Sequence, residues 1–235
     1  MHPLDNPVWS ALTACQAEVA LGNQLARRFP AEMAAHGALA SPTSEAFKAL
    51  SHISPEPVGL FFPGPPQLPA GWRITRHLRM FQMVHEAKPV PQIQLASEAQ
   101  IVELSGHDVA EMSQLYAYTR PGRAIAPRIQ ELGAFIGVRV AGKLVAMGGL
   151  RLHVPGYREI TTVATHPEHL SRGYATALVS ALVLRIYAAR ECPFLHVRDD
   201  NTRAMRIYER LGFETRMQFD YVMCQAPATD HSLGL

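Results

Sequence analysis

Residues 174–189 carry a single charge, Arg185, and are otherwise almost wholly apolar. A helix of that composition has no polar face to turn to water, so it is stable only when packed deep against another layer. The run is too short for a membrane span, which needs about 20 apolar residues. The layer it packs on is written on either side of it. Glu159–Thr165 is strongly β-branched and is followed by Pro167, and Phe194–Val197 is a second β-rich run. Strand, buried helix, strand is therefore the spine of the chain.

The surrounding sequence extends that spine. Ile101–Leu104 reads as a strand and residues 107–117 as a helix. The alternating runs 134–140 and 143–147 are separated by Ala141-Gly142, a two-residue connection that signals a hairpin. Residues 202–211 read as a helix with Asp200 or Asn201 as its N-cap and Gly212 just past its end, and strands over 213–217 and 219–224 follow. Hairpin, strand, helix, strand, helix, strand does not alternate regularly. The expected fold class is α+β (mixed α/β), with a mixed central sheet flanked by helices.

The first part of the chain is less patterned. Residues 7–29 read as one helix opened by Pro7 and stopped by Phe29-Pro30, and a second helix is expected from Ser44. Residues 57–62 read as a short buried strand, 63–71 as a Pro/Gly-rich loop, and 73–85 as a further strand. Lys88–Gln92 is the candidate boundary. It divides an N-terminal α/β region, 1–94, from a second domain, 95–235.

Composition excludes several classes. With 48% hydrophobic residues in 235, the chain can bury enough apolar surface to fold. A net charge of +2 offers no broad basic surface for nucleic acid. No secretory signal opens the chain, no apolar run is long enough to span a membrane, and Cys15, Cys192 and Cys224 lack any disulfide or CxxC spacing. A cytoplasmic protein with reduced thiols is expected. His166 and His169 lie three apart, but Pro167 intervenes and no third ligand has matching spacing, so no metal is expected. Cys192 has no basic neighbour to activate it as a nucleophile.

Two stretches carry chemistry. The strand ending at Thr165 passes through His166–Arg172 to Gly173 and then enters the apolar helix. A glycine turn at a helix start presents unpaired N–H groups at the positive end of the helix dipole, where a phosphate binds well. In Asn201–Phe213, steps of three and four place Asn201, Ala204 and Tyr208 on one helical face, so a cap amide, a small residue and a phenol share one groove. An ordinary strand–helix connection and a core tyrosine are the bland alternatives.

Taken together, in this order and at this spacing, the two stretches resemble the GNAT superfamily of acyl-CoA-dependent N-acyltransferases. The likeness is greatest to the subgroup related to glycine N-acyltransferase and covers roughly residues 95–225. The family's phosphate loop, Arg/Gln-x-x-Gly-x-Gly/Ala, is matched by Leu170-Ser-Arg-Gly-Tyr-Ala175, with Leu170 in place of the leading polar residue. The resemblance implies a GNAT-like fold and acetyl-CoA, or another acyl-CoA, as co-substrate. Val163, Ala164 and Thr165 would splay from Leu195–Val197 to pair with the pantetheine arm. Ser171, Arg172, Gly173, Tyr174, Ala175 and Thr176 would hold the pyrophosphate. Asn201 and Ala204 would line the arm, and Tyr208 would reach the sulfur. Glu159 stands where several family members carry a catalytic glutamate, or is a solvated strand-end carboxylate. Residues 1–94 would be a degenerate GNAT-like half that covers the sheet or walls the acceptor pocket. The acceptor would be a small-molecule or peptide amine, with Arg120, Arg123 and Arg128 as candidates to recognise a carboxylate or phosphate on it. No nucleic-acid or membrane partner is implied, and a homodimer is left open. The competing expectation is a silent acyl-CoA-binding sensor or structural module, favoured by Leu170.

Overall fold

The computed structural model describes residues 2–86, 88–91 and 93–227. The N-terminal region begins with α1 (Pro7–Thr13), which has Pro7 in its first turn and the Asn6 side chain as its cap. The chain then departs from the single helix expected over 7–29. A one-turn 3-10 helix (Ala17–Val19) is followed by the short strands β1 (Leu21–Gly22), β2 (Ala26–Arg28) and β3 (Gly37–Leu39), which form their own three-stranded sheet. The apolar positions of that span do not share one buried helical face: Leu12 and Phe29 are buried, whereas Leu21 and Leu25 are exposed. Leu12 and Phe29 lie in one cluster with Leu152, Val154 and Phe194. Then come α2 (Ser44–Ile53), capped by Thr43, and β4 (Val58–Phe62).

β5 (Arg73–His85) is a long strand, followed by β6 (Ala99–Leu104), α3 (Val109–Thr119), β7 (Phe135–Val140), β8 (Lys143–Val154) and β9 (Tyr157–Thr165). The chain closes with α4 (Tyr174–Ala188), β10 (Cys192–Arg198), α5 (Thr202–Arg210) and β11 (Phe213–Gln225). The two strands expected over 213–217 and 219–224 are one strand, with a bulge between Thr215 and Met217.

Eight strands form the main sheet in the order β4-β11-β5-β10-β9-β8-β7-β6. Every pairing is antiparallel except β9 with β10, the two strands joined through α4. Strands from both sides of the Lys88–Gln92 segment thus lie in one sheet.

α4 behaves as its composition demands. Leu178, Val179, Leu182, Val183 and Ile186 are buried against Val145, Leu150, Ile160, Leu195 and Met83 of the sheet. The opposite face is covered by α3, through Met112 and Leu115 against Met147 and Ala164, and by α1. α2 packs Phe47 and Leu50 on the β4–β11 edge. No helix among the described residues is long and apolar enough to cross a membrane.

Candidate active site in the split between two parallel strands

The parallel pair β9–β10 is hydrogen-bonded only over part of its length. The register runs from Cys192 opposite Tyr157 to Leu195 opposite Ile160, and there it stops. Beyond that point Thr161–Thr165 pair only with β8, and His196–Arg198 only with β5. A wedge opens in the middle of the sheet.

A bulge marks where the wedge begins. Met147 faces Ala164 and Gly149 faces Thr161, so Gly148 alone opposes both Thr162 and Val163. Thr162 sits at φ 56, in the left-handed region. A β-branched residue is costly there, and such strain concentrates at functional sites. Inverse-facing edges with unmade ladder bonds can accept an extended, amide-bearing chain as an added strand.

The wedge leads to the start of α4. Ser171 at φ 64 and Gly173 at φ 80 both lie in the left-handed region, and Gly173 is the N-cap, with no side chain capping the helix. The first recorded bond from this turn is Ala177 N–H to the Gly173 carbonyl, 2.9 Å. The N–H groups of Ser171–Thr176 have no acceptor among the described residues, which leaves six donors at the positive end of the α4 dipole, where negative charge is favoured. A Cβ on Gly173 would meet nothing nearer than Ile93, 3.8 Å away. Arg172 is exposed here. The Arg203 guanidinium donates to Ser171 Oγ at 3.2 Å, tying the turn to α5. Two neighbouring polar atoms, Thr165 Oγ1 and His169 Nδ1, are buried without a partner among the described residues. Tyr174 turns its ring into the core and offers the turn only its backbone.

α5 flanks the wedge. Asn201 Oδ1 accepts the Ala204 N–H at 3.2 Å, so this side chain caps its own helix and keeps its Nδ2 donor available. Tyr208 is 8% exposed, its ring edge-on to Phe213, and its hydroxyl has no partner among the described residues. Burial pushes the phenol up to about 12. The group is therefore a neutral hydrogen-bond donor at physiological pH.

Glu159 is not the free carboxylate its position in the sequence suggests. Its neighbour Ile160 points at α4, so alternation sends Glu159 to the other face, where it is 1% exposed. Arg151 grips it with two bonds, Nε to Oε2 at 2.9 Å and Nη2 to Oε1 at 2.8 Å, and His196 Nδ1 donates to Oε1 at 2.9 Å. Burial alone would raise its pKa, but Arg151 and His196 outweigh it and hold the carboxyl far below the usual carboxylate range. A carboxylate so strongly stabilised is a poor proton acceptor.

Sequence reasoning missed the network that holds it. Arg151 Nη1 donates to His36 Nε2 at 2.5 Å, and His36 Nδ1 lies 3.3 Å from the Tyr221 hydroxyl. Gln82 Nε2 donates to His196 Nε2 at 3.2 Å. Burial, reinforced by Arg151, holds His36 well below its usual pKa, so it is neutral. Phe61 stacks between them, 4.6 Å from His196 and 4.8 Å from Tyr221. Gly59 is required beneath: a Cβ there would fall 2.1 Å from the Tyr221 hydroxyl. The one legible signal was Arg151, a charge between Leu150 and Leu152 on an apolar strand. His36, Phe61 and Tyr221 come from elements far apart in sequence.

Three further polar or reactive side chains near the site are accounted for by their surroundings. Arg128 is spent on Glu131, with Nε 2.5 Å from Oε1, and on Glu32. His153 is bound to Glu191. Burial pushes the Cys192 thiol up to about 11, which disfavours a thiolate nucleophile. No group of three or more His, Cys, Asp or Glu among the described residues is arranged to hold a metal ion.

The sheet is split between two parallel strands, with unpaired N–H donors at the start of α4 and a buried phenol on α5. Comparison with known proteins gives that fold its family. The structure is similar over 97% of its length to the whole chain of a GNAT-family protein from Novosphingobium aromaticivorans, with a TM-score of 0.84 and 31% identity. A GCN5-related N-acetyltransferase from Kribbella flavida shares the fold at a TM-score of 0.59 and 14% identity, over 91% of this chain and 94% of that one. The family model described as FR47-like protein matches residues 132–222. An acetyltransferase from Yersinia enterocolitica is 37% identical over 87 residues, a match that spans 35% of this chain and 58% of the relative. The chain belongs to the GNAT family.

Proposed function

We propose that the protein transfers an acetyl group from acetyl-CoA to an amine by direct attack on the thioester. The observation that carries this reading is the wedge: strand pairing that ends at Leu195 and Ile160, with six N–H groups without acceptors among the described residues at the helix start that follows β9. In this reading the pantetheine arm lies along Val163–Thr165 with Asn201 Nδ2 and Ala204 beside it, and the pyrophosphate rests on Ser171–Thr176. The free amine nitrogen bonds to the thioester carbon, the C–S bond breaks with its electron pair going to sulfur, and the proton lost by the nitrogen passes to water. The Tyr208 phenol, at about 12, is a weaker acid than an ordinary thiol at about 8.5, so it stabilises the departing thiolate by hydrogen bonding rather than by surrendering its proton. Glu159 serves as the anchor of Arg151 and not as the base.

The finer likeness to the glycine N-acyltransferase subgroup is part of this proposal. It draws support from the N-terminal region, which feeds β4 and β5 into the sheet and supplies His36 and Phe61 to the face beside the wedge. A silent acyl-CoA-binding module is the second reading, favoured by the exposed Leu170 at the head of the phosphate loop. Calorimetric titration with acetyl-CoA, followed by a thiol-release assay over amines, amino acids and peptides, separates the two. Binding with release is expected. Binding without release on any acceptor would select the silent module, and absence of binding would refute both.

A further inference from the structure

α5 carries Tyr208 and has little of its own to hold it in place. It is nine residues long, Tyr208 is its one buried residue, and a helix that short takes its stability from what it packs on. The Arg203 bond to Ser171 ties its first turn at an exposed position. Its last turn is held from inside the protein. Leu211, the C-cap, offers a carbonyl that has no donor within the helix, and His85 Nε2 donates to it at 2.8 Å.

His85 ends β5 and is wholly buried. An apolar ring would need no partner at such a place; an imidazole does, since burying a polar group is unfavourable unless it is hydrogen-bonded. Both of its nitrogens have one. The Leu211 carbonyl can only accept, so Nε2 carries the proton, and Nδ1 faces the Tyr187 hydroxyl of α4 at 2.5 Å. That hydroxyl also lies 2.8 Å from the His85 carbonyl, to which the Cys192 thiol of β10 donates at 3.3 Å. The ring is thus held by α4 while it grips the end of α5. Burial lowers its pKa from the ordinary value, so it stays neutral with the proton on Nε2. Gly212 makes room for it: at φ 98, a Cβ there would fall 3.1 Å from Nε2. A second path runs through rings. Phe213 faces His85 across the β11–β5 pairing, edge-on with centroids 5.1 Å apart, and is in turn edge-on to Tyr208 at 5.9 Å.

We propose that His85 is a positioning residue for acetyl transfer: by fixing the C-terminal turn of α5 through the Leu211 carbonyl, it sets where the Tyr208 hydroxyl stands. The inference rests on the acetyl-transfer reading above, in which that hydroxyl stabilises the departing thiolate. The Leu211 N–H bonds to the Tyr208 carbonyl at 3.1 Å, so movement of the cap is movement of the Tyr208 backbone. The phenol has no hydrogen-bond partner of its own among the described residues, and its place is set by the backbone that carries it and by Phe213 beside it. A hydrogen bond to charge that develops only in the transition state is weakened sharply when the donor stands about 1 Å out of place. The loss therefore falls on kcat. Acetyl-CoA binding, which this reading places along β9 and the α4 turn, is left unchanged.

The test is a double-mutant cycle on the full chain, following thiol release from acetyl-CoA with whichever of the amines, amino acids and peptides reacts fastest. His85→Asn removes the group that reaches Leu211, whereas His85→Gln keeps an amide nitrogen near the position of Nε2. His85→Asn should lower kcat about tenfold in the wild-type background, with KM for acetyl-CoA within about twofold. In the Tyr208→Phe background, where there is no hydroxyl to place, the same substitution should lower kcat by no more than about twofold. His85→Gln should recover most of the activity. An equal loss in both backgrounds, a loss confined to KM, an unaltered kcat, or a His85→Gln variant no better than His85→Asn would each overturn the proposal while leaving acetyl transfer standing. If His85→Asn does not fold, Tyr187→Phe, which frees Nδ1 and leaves the ring in place, goes through the same cycle: a loss of kcat that vanishes in Tyr208→Phe supports the proposal, and any other result overturns it. Wild-type kcat in Tyr208→Phe, or no release with any amine, would instead overturn the reading on which the proposal rests.

Discussion

Glu159→Gln separates two roles that a glutamate at this position could hold. The substitution keeps shape and removes one charge from a pair in which Glu159 is 1% and Arg151 16% exposed at the side chain. Removing one partner of a buried pair leaves the other uncompensated and costs about 3–5 kcal/mol. For a chain of this size, at roughly 2–4 °C per kcal/mol, that is a melting point lower by about 6–20 °C at neutral pH. The sign of the pH dependence follows from the direction of the shift. Folding lowers the Glu159 pKa from its ordinary 4.5, so below that value the unfolded chain binds more protons than the folded one. The stabilisation is complete above about pH 5 and fades as the solution is made more acid. The gap between wild type and variant should therefore narrow below that point. Calorimetric melting of both proteins from neutral pH to the onset of acid unfolding measures it, alongside acetyl transfer on whichever amine reacts. A variant that melts within about 1 °C of wild type yet loses a hundredfold or more of kcat, with the alkaline-rising limb of its pH–rate profile gone, would refute the anchor and restore Glu159 as general base.

Three further outcomes follow from the same geometry. Tyr208→Phe should lower kcat roughly 10–100-fold with little change in KM or stability, because the hydroxyl has no partner to lose in the resting protein; steady-state kinetics decide it, and a loss confined to KM would assign the residue to binding. Gly173→Val places a β-branched residue at φ 80 and a side chain where phosphate would sit; it should cost about 1–2 kcal/mol in stability and at least tenfold, about 1.4 kcal/mol, in CoA affinity, read by denaturant unfolding and calorimetry, and unchanged affinity would move the anion elsewhere. His36 is held neutral by burial and by Arg151, below its usual 6.5, so its contribution is full above about that pH and lost as pH falls through it. His36→Asn should flatten the decline in urea stability between about pH 6.5 and 5, and an unaltered slope would show that His36 titrates normally.

The sequence by itself determined the half of the molecule that is built from local patterns. A nearly uncharged run of helical length has one stable solution, burial on a sheet, and the β-branched runs on either side supply that sheet. The left-handed turn at Gly173 and the Asn201 cap were legible for the same reason: each acts through backbone within a few residues of itself. The long helix expected over 7–29 failed because its apolar residues were spaced for several partners at once. Leu12 and Phe29 bury with Leu152, Val154 and Phe194, and contacts of that range override local propensity. The network around Glu159 showed in the sequence only as Arg151, a charge on an apolar strand. Phe61, Tyr221, His196, Glu159 and Arg151 meet, with His36 beside them, only because β4, β11, β5, β10, β9 and β8 lie side by side in an order the chain does not follow. A strand alternates two faces, and sequence shows the alternation but not what lies across from each residue. The ion pair that ties Glu159 to Arg151 across the pairing is a fact of register and charge that exists only in the folded sheet.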